Sequence, residues 1–259
     1  MKVLLTVLFI LGFSVSVLAE DAKTLKICHV AGGCCHDYEN QKNILKEGLE
    51  KRINCKVDLF VEGKDKNHMH SLFKKKNWSE GYDIILFNIC FGGVTDDAFI
   101  KSVVDETAKN GKGAIFLHCS LHTFRNAKTA IKDYRELMGL SSKNHGKKSP
   151  ILVENVNEKH PIMKGFPQIW QTPNGELYNI FAQGEKVEIL CKGHYPDVKA
   201  TNVCIWTNLY KESKVFGMSL GHHNETMQAK EYQDVLSRGV LWTVGKLQDD
   251  GKPAQGYGK

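Results

Sequence analysis

Several common metal and redox motifs are missing from this sequence of 259 residues. It has eight cysteines, but no two are spaced as CxxC, so neither a zinc knuckle nor a thioredoxin-like motif is supported. HExxH is absent too, which leaves a metallohydrolase of that type without support. The densest basic run, Lys74-Lys75-Lys76, is short and lies among apolar residues. We interpret it as a solvated helix end, and we expect no nucleic-acid partner.

The sequence also lacks the features that divide a chain into several domains. No internal repeat and no linker rich in glycine or proline is present, and 42% hydrophobic with 25% charged residues is typical of a globular protein. We therefore predict one domain over residues 20–248. Residues 249–259 contain three glycines and one proline, and we predict that they form a disordered tail.

Only the first residues form a long apolar run. Lys2 gives a positive start, Val3 to Val17 is almost wholly apolar, and Val17-Leu18-Ala19 provides small residues for a signal peptidase. A run of this length is short for a membrane span and typical of a signal peptide. The sequence therefore predicts a signal peptide over residues 1–19 and an exported protein, periplasmic or secreted, with no membrane attachment after cleavage.

Export leaves the state of the cysteines open. Five of them lie in or beside apolar runs that predict strands, where a buried free thiol is the expected state. These five are Cys28, Cys55, Cys90, Cys191 and Cys204. Cys34 and Cys35 are adjacent in a loop, and Cys119 directly follows a strand. One or two disulfides are compatible with an oxidising compartment, but their pairing cannot be deduced.

The apolar pattern predicts alternating strands and helices. Predicted strands cover residues 25–30, 57–61, 83–87 and 113–118, and predicted helices cover residues 39–52, 68–76, 99–108 and 127–138. Five further strands are predicted at 151–155, 177–181, 187–191, 202–207 and 214–219, before a closing helix at 235–244. This alternation favours an α/β fold, a three-layer α/β/α sandwich with a mainly parallel sheet.

Four loops follow predicted strands and carry chemically active residues. They are residues 32–38, 88–93, 118–122 and 221–225, and they contain glycine pairs or clusters of histidine, cysteine and carboxylate. Ligands of parallel α/β sheets bind outside the carboxyl ends of the strands, so we expect these loops to meet at one edge. Five of the eleven histidines fall in them: His36, His118, His122, His222 and His223.

Three chemistries are compatible with such an edge. Cys119 could be a nucleophile activated by His118 or His122, although the glycines of a G-x-C-x-G elbow are absent. The imidazoles with Asp37 or Glu225 could hold a divalent metal, so the cofactor is left unknown. The same groups could act as general acid and base on a polyhydroxylated ligand.

Six motifs give the chain a resemblance to a known family. They are Gly32-Gly33 with His36-Asp37-Tyr38; His118-Cys119 with His122 and Arg125; Tyr134 to Gly139 with His145-Gly146; His160-Pro161-Ile162 with Gly165-Phe166-Pro167; Glu176-Leu177-Tyr178; and Trp206-Thr207-Asn208 with Gly221 to Glu225. In this order they resemble the trehalose-utilization (ThuA-like) family over about residues 25–247.

The resemblance implies a class I glutamine amidotransferase-like (flavodoxin-like) sandwich and a role in carbohydrate metabolism. Two departures are Lys211 to Lys214, where the family has Gly-Lys-Gly-Arg, and the lack of a Cys-His-Glu triad, so glutamine hydrolysis is not expected. The leading hypothesis is an enzyme acting on a sugar or keto-sugar derivative. The alternatives are a non-catalytic carbohydrate-binding protein and a metal-dependent hydrolase, and a homo-oligomer is left open.

The edge loops and the resemblance together give a set of predicted site residues. The predicted catalytic residues are His118, Cys119, His122, His222 and Glu225. The predicted substrate-binding residues are Gly32, Gly33, His36, Asp37, Gly92, Gly93, Arg125, His145, Glu176 and His223. The expected ligand is a small carbohydrate.

Overall fold

The structure is a computed structural model that describes residues 22–198 and 200–259. The predicted signal peptide, residues 1–19, lies outside the described residues. Within the described residues, no helix combines the length and the apolar character that a membrane crossing requires.

The described part of the chain contains eleven strands and five α-helices. The strands are β1 (Leu25–Gly33), β2 (Cys55–Val61), β3 (Ile84–Cys90), β4 (Gly113–Leu117), β5 (Leu140–Lys148), β6 (Leu152–Asn155), β7 (Ile169–Gln171), β8 (Glu176–Gln183), β9 (Glu188–His194), β10 (Asn202–Tyr210) and β11 (Ser213–Met218). The helices are α1 (Tyr38–Arg52), α2 (Asp97–Ala108), α3 (Ile131–Met138), α4 (Asn224–Gln228) and α5 (Lys230–Thr243).

Nine strands form one sheet in the order β2-β1-β3-β4-β11-β10-β9-β6-β7. All four neighbouring pairs among the first five strands are parallel, whereas β10, β9, β6 and β7 extend the sheet by antiparallel pairs. A block of parallel strands connected through helices is the arrangement that the β/α alternation predicts. The α/β fold class is confirmed.

Helices cover both faces of the parallel block. Ile84 and Leu86 of β3 pack in the cluster that contains α1 and α5, while Ile85 and Phe87 pack in the cluster that contains α2 and α3. Alternate side chains of a strand point to opposite faces, so a strand buried on both faces has to be continuously apolar. This is why β3 is an uninterrupted apolar run in the sequence.

Several elements differ from the prediction, among them β7 (Ile169–Gln171), which is not predicted. The segment predicted as a helix at 68–76 forms only a short 3₁₀ turn, Ser71–Lys74, and helix α3 begins at Ile131 rather than at 127. Strand β5 is not predicted at all, because its sequence LSSKNHGKK is polar and has no apolar alternation. It pairs with β8 in a separate two-stranded sheet, which we call the β5–β8 arm.

The C-terminal segment is ordered in the structure, so the prediction of a disordered tail at 249–259 is wrong. Tyr257 is 9% exposed and packs in the core cluster that contains α1 and α5. Its carbonyl accepts a hydrogen bond of 2.9 Å from the backbone N–H of Asn54, and the N–H of Lys259 donates to the Arg52 carbonyl at 3.0 Å. One buried aromatic ring and these backbone bonds outweigh the glycine-rich composition on which the prediction depended.

The position of the tail can be checked by mutation. Tyr257→Ala removes a ring that is almost fully buried, so we expect the free energy of unfolding to fall by roughly 2–4 kcal/mol. Urea unfolding followed by circular dichroism measures this change. Lys252→Ala, an exposed change in the same segment, should stay within about 0.5 kcal/mol of the unmutated chain. Equal stability of the two variants would contradict a docked tail.

Candidate active site

The loops that follow β1, β4 and β11 meet at the carboxyl edge of the parallel block. They bring together three imidazoles, those of His36, His118 and His222, which we call the histidine cluster. Ring centroids are 4.7 Å apart for His36 and His118, 4.8 Å for His36 and His222, and 5.4 Å for His118 and His222. The expected convergence of these loops is therefore present in the structure.

His118 is held in one orientation by its backbone and its ring. It directly follows β4, has a φ of 42° and is buried. Its Nδ1 lies 2.7 Å from the carbonyl oxygen of Ser219, at the end of β11. A carbonyl oxygen can only accept, so Nδ1 carries the hydrogen and Nε2 keeps its lone pair. The Tyr178 hydroxyl donates to that Nε2 at 3.4 Å.

Asp37 connects two of the loops. It is the N-cap of α1, where its carboxylate accepts from the backbone N–H of Asn40 at 3.3 Å. The same carboxylate accepts from Asn224 Nδ2 at 2.7 Å, on the loop after β11. Hydrogen bonds from Asn40 and Asn224 lower the pKa of Asp37 below its usual value. Asp37 therefore fixes His36 and His222 relative to each other.

Glu176 supplies the only carboxylate that contacts several histidines in the described part of the site. It comes from the β5–β8 arm and is 4% exposed. Its Oε2 lies 3.0 Å from His222 Nδ1, 3.6 Å from His118 Nε2 and 3.6 Å from His145 Nε2. On the other oxygen, Lys148 Nζ is 3.9 Å away.

The ionisation of Glu176 is set by these neighbours. Burial alone would raise its pKa, but His118 and His222 hold the pKa of Glu176 well below its usual range. Burial lowers the pKa of His36 to about 2, and the adjacent His118 and His222 add to this effect. Burial also lowers the pKa of His118, against the opposing influence of Glu176 and the Ser219 carbonyl. At neutral pH the site thus combines an ionised carboxylate with the neutral imidazoles of His36 and His118.

His122 and His145 flank Tyr178 beside this site. The rings of His122 and Tyr178 are stacked with centroids 4.1 Å apart, and the His145 ring lies 5.8 Å from Tyr178. Ser142 Oγ donates to the Asn144 carbonyl at 3.0 Å, so it accepts from His122 Nε2 at 3.0 Å. Burial lowers the pKa of His122 to about 3. His122 is thus a hydrogen-bonded packing partner of Tyr178, and its predicted catalytic role remains a prediction.

Four of the eight cysteines form two disulfides next to His36. These are Cys34–Cys35 and Cys90–Cys119, with 3.7 Å between the sulfurs of Cys34 and Cys90. The prediction that Cys90 is a free buried thiol is therefore wrong, because the ends of β3 and β4 bring it against Cys119. A nucleophilic Cys119 would first need reduction, since a disulfide sulfur carries no thiolate. The other predicted free thiols, Cys28, Cys55, Cys191 and Cys204, are free and buried.

The glycine pairs serve close packing of the backbone. A Cβ on Gly32 would lie 1.9 Å from the Glu62 carbonyl oxygen, and one on Gly33 would lie 2.4 Å from that of Cys90. Both have positive φ angles, 137° and 108°, which side chains rarely adopt. Gly92 and Gly93 are less restricted, since neither has a positive φ; a Cβ would lie 3.0 Å from the His122 carbonyl oxygen at Gly92 and 2.0 Å from the Asn67 side-chain oxygen at Gly93. These four positions explain how the loops approach one another.

The remaining predicted residues lie around the rim. Arg125 is exposed and donates to the Lys143 carbonyl at 3.1 Å. His223 stacks edge-on against His222 with centroids 4.4 Å apart, and Glu225 is exposed in the first turn of α4. Tyr178 and Lys148 belong to the site but were not predicted as site residues. Tyr178 stood in a matched family motif, which was a usable signal, whereas nothing in the polar run around Lys148 marked it.

An open cavity of about 490 Å³ reaches two members of the histidine cluster, His36 and His222. It is lined by Cys35, His36, Asp37, His222, His223, Asn224 and Glu225. A larger cavity of about 950 Å³ lies at the opposite edge, where β1, β3 and β4 begin, and histidine and cysteine are absent from its lining in the described residues. Small-molecule sites are typically clefts of about 300–1,000 Å³ with a few convergent polar groups. The smaller cavity fits that description better because of its lining.

The two disulfides determine which cysteines should react with an alkylating reagent. In protein secreted under oxidising conditions, alkylation of the unfolded but unreduced chain should label Cys28, Cys55, Cys191 and Cys204, because only these carry free thiols. Cys34, Cys35, Cys90 and Cys119 should label only after reduction. Peptide mass spectrometry reads out each position. Labelling of Cys119 before reduction would contradict its pairing with Cys90 and reopen its role as a nucleophile.

Solved structures with the same overall architecture provide a comparison. A putative ThuA-like protein from Parabacteroides merdae has a TM-score of 0.70 and 19% identity, covering 92% of this chain and 97% of that chain. One from Bacteroides uniformis has a TM-score of 0.65 and 18% identity, covering 89% and 96%. A putative GMP synthase protein from Thermoplasma acidophilum has a TM-score of 0.51 and 13% identity, covering 86% and 96%. At these identities the likeness establishes the fold alone, an amidotransferase-like α/β sandwich.

Sequence comparison is more specific about the family. No curated protein matches this sequence, so none suggests a more precise activity. The profile of the ThuA family, described as trehalose utilisation, matches residues 28–243, which include all the strands and loops of the site except the first residues of β1. The chain therefore belongs to the ThuA family.

Proposed function

We propose that this protein is an exported enzyme that acts on a sugar or keto-sugar derivative, with its reaction centre at Glu176 and the histidine cluster. One observation carries the proposal: a carboxylate that is 4% exposed contacts His118 and His222 at the edge where ligands of this fold class bind. Ionised carboxylates buried beside polar groups in a cleft are common in catalytic sites.

The contacts suggest how the groups would divide the chemistry. Glu176 is ionised and can accept a hydrogen bond from a sugar hydroxyl. It would become a base for a hydroxyl or an acidic C–H next to a carbonyl once bound substrate separates it from His118 and His222, whose contacts lower its pKa. His118 Nε2 keeps a lone pair and accepts a hydrogen bond from the Tyr178 hydroxyl. The Tyr178–His118 pair could therefore exchange a proton with a substrate bound beside Glu176. The cavity walls offer Asp37, His223 and Glu225, which can hydrogen-bond further hydroxyls.

The choice of substrate class comes from the family and from the cavity. Trehalose utilisation is the description of the family, and the cavity lining is rich in carboxylate and imidazole rather than apolar side chains. Such a lining suits a neutral, polyhydroxylated molecule. A non-catalytic carbohydrate-binding protein is the rival from another class. A metal-dependent hydrolase is the second candidate, favoured by the three converging imidazoles.

The proposal is tested first by ligand screening and then by mutation. A set of oxidised and unoxidised disaccharides, trehalose among them, is screened for thermal stabilisation and then for turnover. Glu176→Gln keeps the shape of the side chain but removes its charge and its ability to accept a proton. We expect kcat on the confirmed substrate to fall by about 10²–10⁴-fold, while Kd changes by less than about tenfold.

A matched control makes this result specific. Glu185→Gln is the same chemical change at an exposed residue between β8 and β9, and it should keep full kcat. If Glu176→Gln turns over substrate as fast as the control, Glu176 is not the base. If a ligand binds but no turnover is found in any variant, and Glu176→Gln weakens its binding, the carbohydrate-binding alternative replaces the enzyme.

Export is a separate part of the proposal. The apolar run from Val3 to Val17 ahead of small residues supports it, and two disulfides next to the site are typical of an oxidising compartment. Expression of the full chain should yield periplasmic or secreted protein that begins near Glu20. Intact-mass measurement of the purified protein checks the start. A cytoplasmic protein that retains Met1 would contradict export without affecting the enzyme hypothesis.

A further inference from the structure

The histidine cluster has the geometry of a set of ligands for one ion. His36, His118 and His222 come from three different loops, yet one ring nitrogen of each lies within 4.8 Å of the others. Tetrahedral zinc with nitrogens at 2.0–2.1 Å places those nitrogens about 3.3 Å apart. Small inward movements of the rings would therefore bring all three onto one ion.

Several nitrogens in the cluster lack a hydrogen-bond partner. Neither ring nitrogen of His36 has one among the described residues, although both are buried. His222 Nδ1 also lacks a well-directed hydrogen bond there, despite lying 3.0 Å from Glu176 Oε2. Buried polar atoms are nearly always paired in native proteins, so three such atoms at one place indicate a missing partner.

The tautomer of His118 indicates that the partner missing from the histidine cluster is an acceptor of lone pairs, such as a cation. Because Nδ1 donates to the Ser219 carbonyl, Nε2 presents a lone pair to the cluster. That lone pair lies 3.6 Å from Oε2 of Glu176. The Tyr178 hydroxyl, 3.4 Å from Nε2, is farther away than in a strong hydrogen bond, so the lone pair can also be offered to a cation between His118 and Glu176. The only ammonium group near Glu176 in the described structure is that of Lys148, at 3.9 Å, and its side chain is 58% exposed.

The support of the ligands also matches that of metal-binding histidines. Such histidines commonly use their second nitrogen to donate to a backbone carbonyl or a carboxylate, which fixes the ring. His118 does this through Ser219, and Asp37 ties the His36 and His222 loops together through Asn224. His36 also lies near the sulfurs of Cys90 and Cys119, but these are bonded to each other and so provide no thiolate.

We propose that His36, His118 and His222 bind one first-row divalent cation, with zinc as the reference ion, and that Glu176 lies beside its open coordination position. Three imidazoles with a vacant fourth position are a known ligand set for catalytic zinc. This inference deepens the proposed function and rests on it for the substrate: a sugar carbonyl or hydroxyl oxygen would occupy the open position, next to the Glu176 carboxylate.

The test uses the mature chain with its disulfides intact. The protein is stripped with a chelator and titrated with Zn²⁺ alone, using calorimetry and elemental analysis. We expect one ion per chain, and we expect His36→Ala and His222→Ala each to weaken binding by at least about 100-fold. His194→Ala, at the end of β9 and outside the cluster, is the matched control and should bind as the unmutated chain does.

A second measurement works without any variant and so does not depend on variant folding. Co²⁺ bound to three imidazoles should give weak visible d–d bands only, whereas a thiolate ligand would add a strong charge-transfer band in the near ultraviolet. Weak bands support the histidine set. A strong charge-transfer band, the absence of stoichiometric binding, or unchanged binding in both cluster variants would each overturn it.

The outcomes separate this inference from the proposed function. Undiminished sugar turnover by chelator-treated protein that also fails to bind Zn²⁺ stoichiometrically would overturn the metal site and leave the carbohydrate enzyme standing. One bound ion in a protein that neither binds nor converts any sugar would leave the metal site standing and remove the proposed substrate class.

Discussion

The contact between Glu176 and the histidines joins the β5–β8 arm to the edge of the large sheet. Glu176 belongs to the β5–β8 arm, whereas His118 and His222 follow strands of the large sheet. Burying a carboxylate is costly unless charge partners and hydrogen-bond donors surround it, so the buried position of Glu176 depends on the polar groups of the cluster. The orientation of Tyr178 on the same strand, and with it the stack on His122, depends on that placement.

The loops that carry the cluster are unusually well restrained for surface segments. Cys90–Cys119 joins the ends of β3 and β4, and Cys34–Cys35 immediately precedes His36. Asp37 caps α1 and also holds Asn224, and the Ser219 carbonyl fixes the ring of His118. Side chains locked by packing and hydrogen bonds keep a site in its productive geometry, which loops alone seldom do. The disulfides therefore contribute by restraining the loops, and while they are intact their cysteines provide no nucleophilic thiolate.

The sequence predicted the parallel half of the fold better than the rest. Strand β3 is recognisable because burial on both faces requires an uninterrupted apolar run, and α1 because its buried positions recur at helical spacing. Strand β5 was missed because its residues are polar and its stability comes from pairing with β8. The tail was wrongly predicted as disordered because the prediction used only the composition of the segment. In the structure the buried ring of Tyr257 holds this glycine-rich segment against the core.

The sequence by itself determined that the loops after β1 and β4, which carry His36 and His118, would share one edge of the sheet, because strands joined through helices run parallel and end on the same side. Strand β11 follows β10 through a tight turn, so only its tertiary pairing with β4 brings His222 to that edge. Only the tertiary structure decided that Glu176 faces His118 and His222, that Cys90 pairs with Cys119, and that His122 packs against Tyr178. Each of these contacts joins segments that are distant in the chain, and the distance between such segments is set by how whole elements pack rather than by any local pattern.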